Sequence, residues 1–297
     1  MATASVVPGS ELIRASGFRL RWRVGFDRWI GRLLPLLYLV AILPILDIVY
    51  WISVRAVPGL SWSVLTNTSP LDTTSIAVPI VSTFYIMLFA TSLAVAFGLF
   101  GGIATAEFLP EGVASWVRTS ANMLAGTPSI ILGYFGFFTF VLYFHWGLNL
   151  ISGAFTLSFF MLPYLYRTVD LAYASVPRAI REAAYGQGAR PYQYILRIAT
   201  PIAFPQVLNG VFLAMAIGVG ETAPIVLTLQ QNVLIPTSVF QPASFLTATI
   251  LANYSFPSSV QLAFEAAFIL LVVVVALNVV VRLISARFRR RLEGLFQ

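Results

Sequence analysis

Cysteine and lysine are both missing from the chain, and histidine occurs once. Without cysteine there is no disulfide framework and no thiolate nucleophile. Without lysine there is no Walker A site for nucleotide phosphates and no Schiff-base chemistry. One histidine and no cysteine leave little to hold a transition metal. Charge of either sign is scarce as well: 10% of residues are charged and 59% are apolar. That balance excludes an ordinary soluble domain and most enzymatic chemistry.

What the chain has instead is long uncharged runs. Residues 76–106 carry no charge, and residues 119–166 carry none apart from His145. A spanning helix needs roughly 20 apolar residues, so the first run holds one helix and the second holds two. The pattern predicts an all-α polytopic membrane protein with about six transmembrane helices, near 30–54, 76–104, 121–144, 148–168, 202–229 and 260–284. The first apolar run is too long for the core of a signal peptide, so the first helix is expected to be retained. The expected divisions are an N-terminal tail 1–29, a transmembrane domain 30–284 with a large loop at 169–201, and a C-terminal tail 285–297.

Six spans place both termini on one side of the membrane. All 18 basic residues are arginines, and 17 of them fall on that side, in the two tails, at Arg118, in the loop 169–201 and at the adjoining helix ends. Arg55 falls on the other side. The positive-inside rule puts the arginine-rich side in the cytoplasm. Topology thus accounts for the net charge of +7, and no nucleic-acid partner is implied.

Smaller features fit this frame. Gly98 with Gly102, and Ala214 with Gly218, are small residues four apart, a spacing that lets helices approach closely. Segment 230–258 is uncharged and reads as an interfacial loop, with partial re-entry as the alternative. Asp47 follows Pro44 and is expected to bond locally. His145 reads as interfacial, with ligand binding as the alternative, and Glu265 as interfacial or paired.

Loop 169–201 contains EAAYGQGARPYQYILRIATP, residues 182–201. It reads as two short helices. Pro177 suits an early turn of the first, Gly186 or Gly188 its end, and Pro191 the start of the second. Ala183, Ala184 and Gly188 keep one side of this element small. Such an element is either a solvated loop or a helix that enters a groove on a partner.

The same residues resemble the cytoplasmic signature of ABC importer permeases. Glu182-Ala183-Ala184, Gly188, Ile198 and Pro201 keep its spacing throughout, and Thr200 stands where leucine is usual. In that family the loop is a coupling helix that docks on a separate ATPase chain. The resemblance therefore implies a type I importer permease fold and no cofactor on this chain, with ATP-Mg held by the partner. Glu182, Ala183, Ala184 and Gly188, flanked by Arg181 and Arg190, would lie at the ATPase.

Helix 5 holds Gly218-Val219-Gly220-Glu221-Thr222-Ala223-Pro224. A carboxylate inside a span costs roughly 2.5–3.5 kcal/mol and marks either a pathway or a paired site. The flanking glycines and proline loosen the helix and free backbone groups. The GETAP run resembles PstA-type permeases of phosphate importers. So do Leu124-Ala125-Gly126-Thr127-Pro128-Ser129-Ile130 and the approach from Val176 to Ala184. The resemblance covers roughly residues 75–285.

It implies a prokaryotic inner-membrane subunit working with a PstC-type permease, a PstB-type ATPase dimer and a PstS-type phosphate-binding protein. Glu221 would accept a hydrogen bond from a protonated phosphate oxygen, with Thr127, Ser129 and Thr222 as donors. Many relatives carry an arginine where this chain has Ile217, so the compensating charge would come from Arg167 or from the partner permease. The alternatives are a permease for molybdate, tungstate, sulfate or another small solute, and a stand-alone secondary transporter.

Overall fold

The structure is a computed structural model that describes residues 9–69, 74–257 and 259–293. The described residues form helices and connecting turns, with no strand. The chain divides into two units, residues 1–54 and 55–297.

The first unit is nearly all one helix, α1 (Gly9–Ala56), with Pro35 and Pro44 inside it. Its stretch Leu33–Ala56 is 24 residues of span-like hydropathy. Asp47 is exposed and forms no side-chain hydrogen bond among the described residues, so the expected local bond is not made. Residues 9–29, read as a tail, continue α1, and residues 1–8 lie outside the described residues.

The second unit holds everything else. A short α2 (Trp62–Thr66) precedes the long α3 (Ala77–Glu107). Then come α4 (Glu111–Gly126), α5 (Ser129–Gly136) and a π-helical turn, π1 (Phe137–Tyr143). Helix α6 (Leu150–Ala174) leads into α7 (Arg178–Gly186) and α8 (Pro191–Tyr194). A second π turn, π2 (Ile195–Ala199), joins α8 to α9 (Thr200–Val219). Helices α10 (Ala223–Thr228), α11 (Leu246–Tyr254) and α12 (Val260–Glu293) complete the chain. Residues 285–293 of the expected C-terminal tail continue α12, and 294–297 lie outside the described residues.

Among the described residues, four helical stretches are long and apolar enough to cross a membrane: Leu33–Ala56, Ala77–Glu107, Pro191–Val219 and Val260–Ile284. A fifth is counted if α4 and the α5–π1 rod are one span, although they meet at 99°. The straight span expected at 121–144 is therefore broken. Thr127 takes extended angles ahead of Pro128, as a residue before proline prefers, and the helix stops there.

Helix α6 has the length of a span but is not among the apolar ones. Helices α3, α4, α5, α9 and α10 pack on it, and 16 of its 25 residues are buried. A helix shielded by protein can carry Ser152, Thr156, Ser158 and Asp170 inward, because their neighbours are helices rather than lipid tails. The small-residue pairs are where neighbours press on it. A Cβ on Gly98 would meet Leu165 at 3.0 Å, and one on Gly102 would meet Val169 at 2.6 Å. On the other side, a Cβ on Gly218 would meet Met161 at 2.7 Å.

Segment 230–258 is no simple interfacial loop. Residues 243–249 are all buried, and the chain there turns into α11. The carbonyls of Gln241 and Val239 accept from the amides of Leu150 and Ile151 at 3.0 and 2.9 Å. Two of the orphan donors at the start of α6 are satisfied in this way. Asn149 caps the same helix by accepting from the Ser152 amide at 3.0 Å.

Candidate functional site

Two places gather the residues that composition makes rare. One is the turn between α7 and α8. The other is the break between α9 and α10.

The first is an elbow built by the EAA motif. Pro177 sits at the N-cap of α7, and Pro191 is the first residue of α8. At the end of α7, the Ala189 amide donates to the Ala184 carbonyl at 3.1 Å and the Gly188 amide to the Tyr185 carbonyl at 2.9 Å. That pair of bonds is a Schellman closure, whose penultimate residue must be left-handed. Gly188 has φ +79 and open space around its α-carbon, so the demand on it is conformational rather than steric.

Ala184 is buried under the elbow, while Glu182, Ala183, Gly188 and Arg190 are exposed. Arg181 turns inward. Its Nη2 donates to Glu107 Oε1 at 2.7 Å and its Nε to the Tyr194 hydroxyl at 3.3 Å. Its guanidinium also lies 5.8 Å from the Tyr194 ring centre. The hydrogen bond to Tyr194 and then the Glu107 charge hold the Arg181 pKa above the ordinary arginine value, so it is cationic at any working pH.

Glu107, at the end of α3, keeps only 3% of its side chain exposed. A second ion pair with a buried carboxylate lies nearby in the sequence. Arg118 of α4 grips Asp170 of α6 with two bonds, at 2.8 and 3.1 Å, and reaches Glu111 at 3.1 Å.

The second place is uncharged except for one carboxylate. Helix α9 ends at Val219, where the expected span 202–229 is interrupted. The amides of Gly220 and Glu221 fold back onto Ile217 and Gly218, both at 3.2 Å. Thr222 stands at the N-cap of α10, with Pro224 in its first turn. The break frees carbonyls, and the Thr247 hydroxyl of α11 donates to that of Glu221 at 2.7 Å. One residue earlier, the Leu246 amide donates to Thr83 Oγ1 of α3 at 2.9 Å.

The Glu221 side chain lies near the Ser129 hydroxyl. The crossing of α5 and α10 explains why they meet. Gly133, one turn after Ser129, packs so closely that a Cβ there would lie 3.0 Å from Pro224 Cα.

The structure thus brings together Glu221, Ser129 and Thr222. Thr127 is separate in its bonding, because its hydroxyl donates to the Met123 carbonyl at 2.9 Å. Arg167 is exposed and donates to Asn122 at 3.2 Å, so its charge is not joined to Glu221. Ile217, the arginine position of many relatives, packs against the apolar core.

Sequence reasoning missed Glu107, Tyr194, Asp170 and Thr247. Glu107 and Asp170 had a signal: each is an acidic residue at the end of a long apolar helix whose far neighbours include an arginine. Thr247 had none beyond an uncharged loop. Glu265 is buried and accepts from Gln261 at 3.1 Å, so it is paired rather than interfacial. His145 is exposed with φ +57, at the turn after π1. No cluster able to hold a metal ion occurs among the described residues.

Comparisons with known proteins agree with this geometry. Residues 98–293 match the model of the family described as binding-protein-dependent transport system inner membrane component. The chain is 32% identical over 256 residues to the phosphate transport system permease protein PstA 2 of Mycobacterium bovis, covering 85% of each. It is 24% identical over 244 residues to the phosphate transport system permease protein PstC of Pasteurella multocida, covering 73% of this chain and 76% of that one. Its fold matches a chain of the MetNI methionine ABC transporter in an inward-facing conformation. The TM-score is 0.61 at 17% identity, over 72% of this chain and 95% of that one. This chain is a member of the binding-protein-dependent transport system inner membrane component family, an all-α multi-pass membrane fold.

Proposed function

We propose that the chain is a permease subunit of an ATP-driven phosphate importer, forming part of the anion pathway and taking its power from a separate ATPase. The observation that carries this reading is the 32% identity, spread over 85% of the chain, to a permease whose name specifies phosphate. The elbow supports the mechanical half. It leaves Glu182, Ala183 and Arg190 free at the surface while anchoring Arg181 and Ala184 inward. A helix held from behind and bare in front is suited to receive a push from another chain.

The complete importer on this reading has a second, PstC-type permease, a pair of PstB-type ATPase subunits that bind ATP-Mg, and a PstS-type binding protein outside. The chain itself binds no nucleotide. Both termini and the elbow face the cytoplasm. Residues 30–284 form the membrane domain, with cytoplasmic ends on either side of it.

Phosphate keeps a proton near neutral pH where sulfate does not. Glu221 accepts a hydrogen bond from that proton, and a fully deprotonated oxyanion meets only repulsion there. Ser129 and Thr222 donate to the remaining oxygens. Ser129 also opens α5, whose first amides lack intrahelical acceptors and carry partial positive charge. Those amides supply some of the compensation that an arginine at position 217 gives in relatives. The rest comes from the partner permease, and Arg167 stays with Asn122 in this conformation.

The test is uptake by the reconstituted importer in proteoliposomes, with ATP inside and sulfate or molybdate as competitors. ATP-dependent phosphate uptake that resists both competitors is expected. In Glu221→Gln, selectivity against sulfate should fall by about tenfold or more, the size of one charged hydrogen bond. Unchanged uptake and selectivity would remove Glu221 from the mechanism. Uptake without any ATPase would favour a secondary transporter.

A further inference from the structure

The elbow is joined to the rest of the molecule in two ways. One is the chain itself, which enters from α6 and leaves through α8, π2 and α9 to the break at Glu221. The other is Glu107. Its Oε1 receives Arg181 from α7 at 2.7 Å and the Tyr194 hydroxyl from α8 at 3.5 Å. These two residues lie on opposite arms of the Gly188 turn. One carboxylate at the end of α3 therefore holds both arms of the elbow. Tyr185 and Tyr194 close the same turn with ring centres 5.3 Å apart.

Burying a carboxylate to 3% exposure is costly unless it is paired, and Glu107 spends its pairing on the elbow. The other end of α3 is tied as well. Thr83 accepts from the Leu246 amide, next to Thr247, which holds the Glu221 carbonyl. Helix α3 has 31 residues, or about 46 Å at the rise of an α-helix. It spans the distance from the elbow to the segment that supports the break. Over part of that length α3 and α9 face each other across an apolar hollow of about 380 Å³, with Val95, Leu99, Val207 and Val211 in its walls. That space leaves the two helices room to shift against one another.

We infer that Glu107 is a positioning residue that locks both arms of the coupling elbow to α3, making α3 a second rod, alongside α9, from the elbow to the backbone support of Glu221. This rests on reading the chain as an ATP-driven permease. When the ATPase moves the elbow, α9 shifts one side of the break through the chain. Helix α3 shifts the other side, through Thr83, Leu246 and Thr247. With Glu107 disconnected, the elbow still docks and the ATPase still turns over, but only one side of the break responds.

The experiment uses the full importer, with both permeases, the ATPase and the binding protein, in proteoliposomes. Phosphate taken up per ATP hydrolysed is measured for Glu107→Gln, for E107R and R181E singly, and for the two reversals together. Co-purification of the ATPase is followed in parallel. In Glu107→Gln, uptake per ATP should fall about tenfold, the scale of one charged hydrogen bond, with the ATPase still co-purifying. The double reversal should exceed either single reversal.

Unchanged uptake per ATP in Glu107→Gln overturns the inference. So does loss of the ATPase from that variant, which would make Glu107 part of the docking surface alone. A double reversal no better than the single ones overturns it too. Failure of the unaltered importer to couple ATP to phosphate uptake would instead strike the functional reading beneath it.

Discussion

The elbow and the break are built by opposite means. Around the elbow, α3, α4, α6, α7 and α8 are joined by half-buried ion pairs whose carboxylates are buried: Arg181 with Glu107, and Arg118 with Asp170. At the break, the joints are neutral: a threonine on a carbonyl, an amide on a threonine and a serine beside a lone carboxylate. Charged pairs in a low dielectric are stiff and hard to part, because separating them strands a buried charge. Neutral single hydrogen bonds exchange at about 1 kcal/mol each. The molecule is rigid where force would enter and easily rearranged where a solute would pass.

That contrast orders the effects of mutation. The largest belongs to the charged end. Arg118→Ala leaves Asp170 buried without a partner and should cost about 3 kcal/mol or more, seen as a clear drop in the thermal unfolding midpoint of the purified protein. Replacing both Arg118 and Asp170 by apolar residues of similar size should recover much of that loss. An Arg118→Ala variant as stable as the parent would mean that this pair does not hold α4 to α6.

Gly188→Ala comes next. Its Cβ would meet nothing, yet φ +79 costs a residue with a side chain about 1–2 kcal/mol. Uptake should fall while the ATPase docks less tightly. Gly186→Ala, also in open space but without positive φ, should be neutral or slightly stabilising. Equal effects from the two alanines would remove the conformational argument for Gly188.

The smallest effect belongs to the neutral end. Thr247→Val keeps the shape and removes the bond to the Glu221 carbonyl, at a cost of about 1 kcal/mol. Unfolding should barely shift, while phosphate uptake falls several-fold because the carboxylate loses its fixed backbone. If stability and uptake fall in proportion, Thr247 is a packing residue and the contrast between the two ends weakens.

Sequence showed one of these ends far better than the other. The elbow was legible down to its turn, because Pro177, Gly188 and Pro191 each act on their own few residues. The close approach of Gly98, Gly102 and Gly218 to a neighbour was legible too, though not which neighbour. The pairings were not: Arg181 meets Glu107 across 74 positions, and Arg118 meets Asp170 across 52. Local pattern carries no information on such pairings.

Helix α6 is less apolar than the spanning stretches of the other long helices because Ser152, Thr156, Ser158 and Asp170 interrupt it. That polarity is the mark of a helix surrounded by other helices. Segment 230–258 looked superficial because it lacks charge, yet its stretch 243–249 is buried. The bend at Thr127–Pro128 was written in the residue before a proline, but the surrounding apolar run hid it.

The central claim is that the elbow meets the motor. Because the chain has no cysteine, a single introduced thiol is unique. A cysteine at Ala183, exposed on the bare side of α7, should cross-link to the ATPase subunit of the assembled importer. The yield should change when ATP is added, and a cysteine at Thr237 in the loop before α11 should give no such product. A thiol at Ala183 that reacts with an impermeant reagent from outside the cell, or never joins the ATPase, would contradict the account.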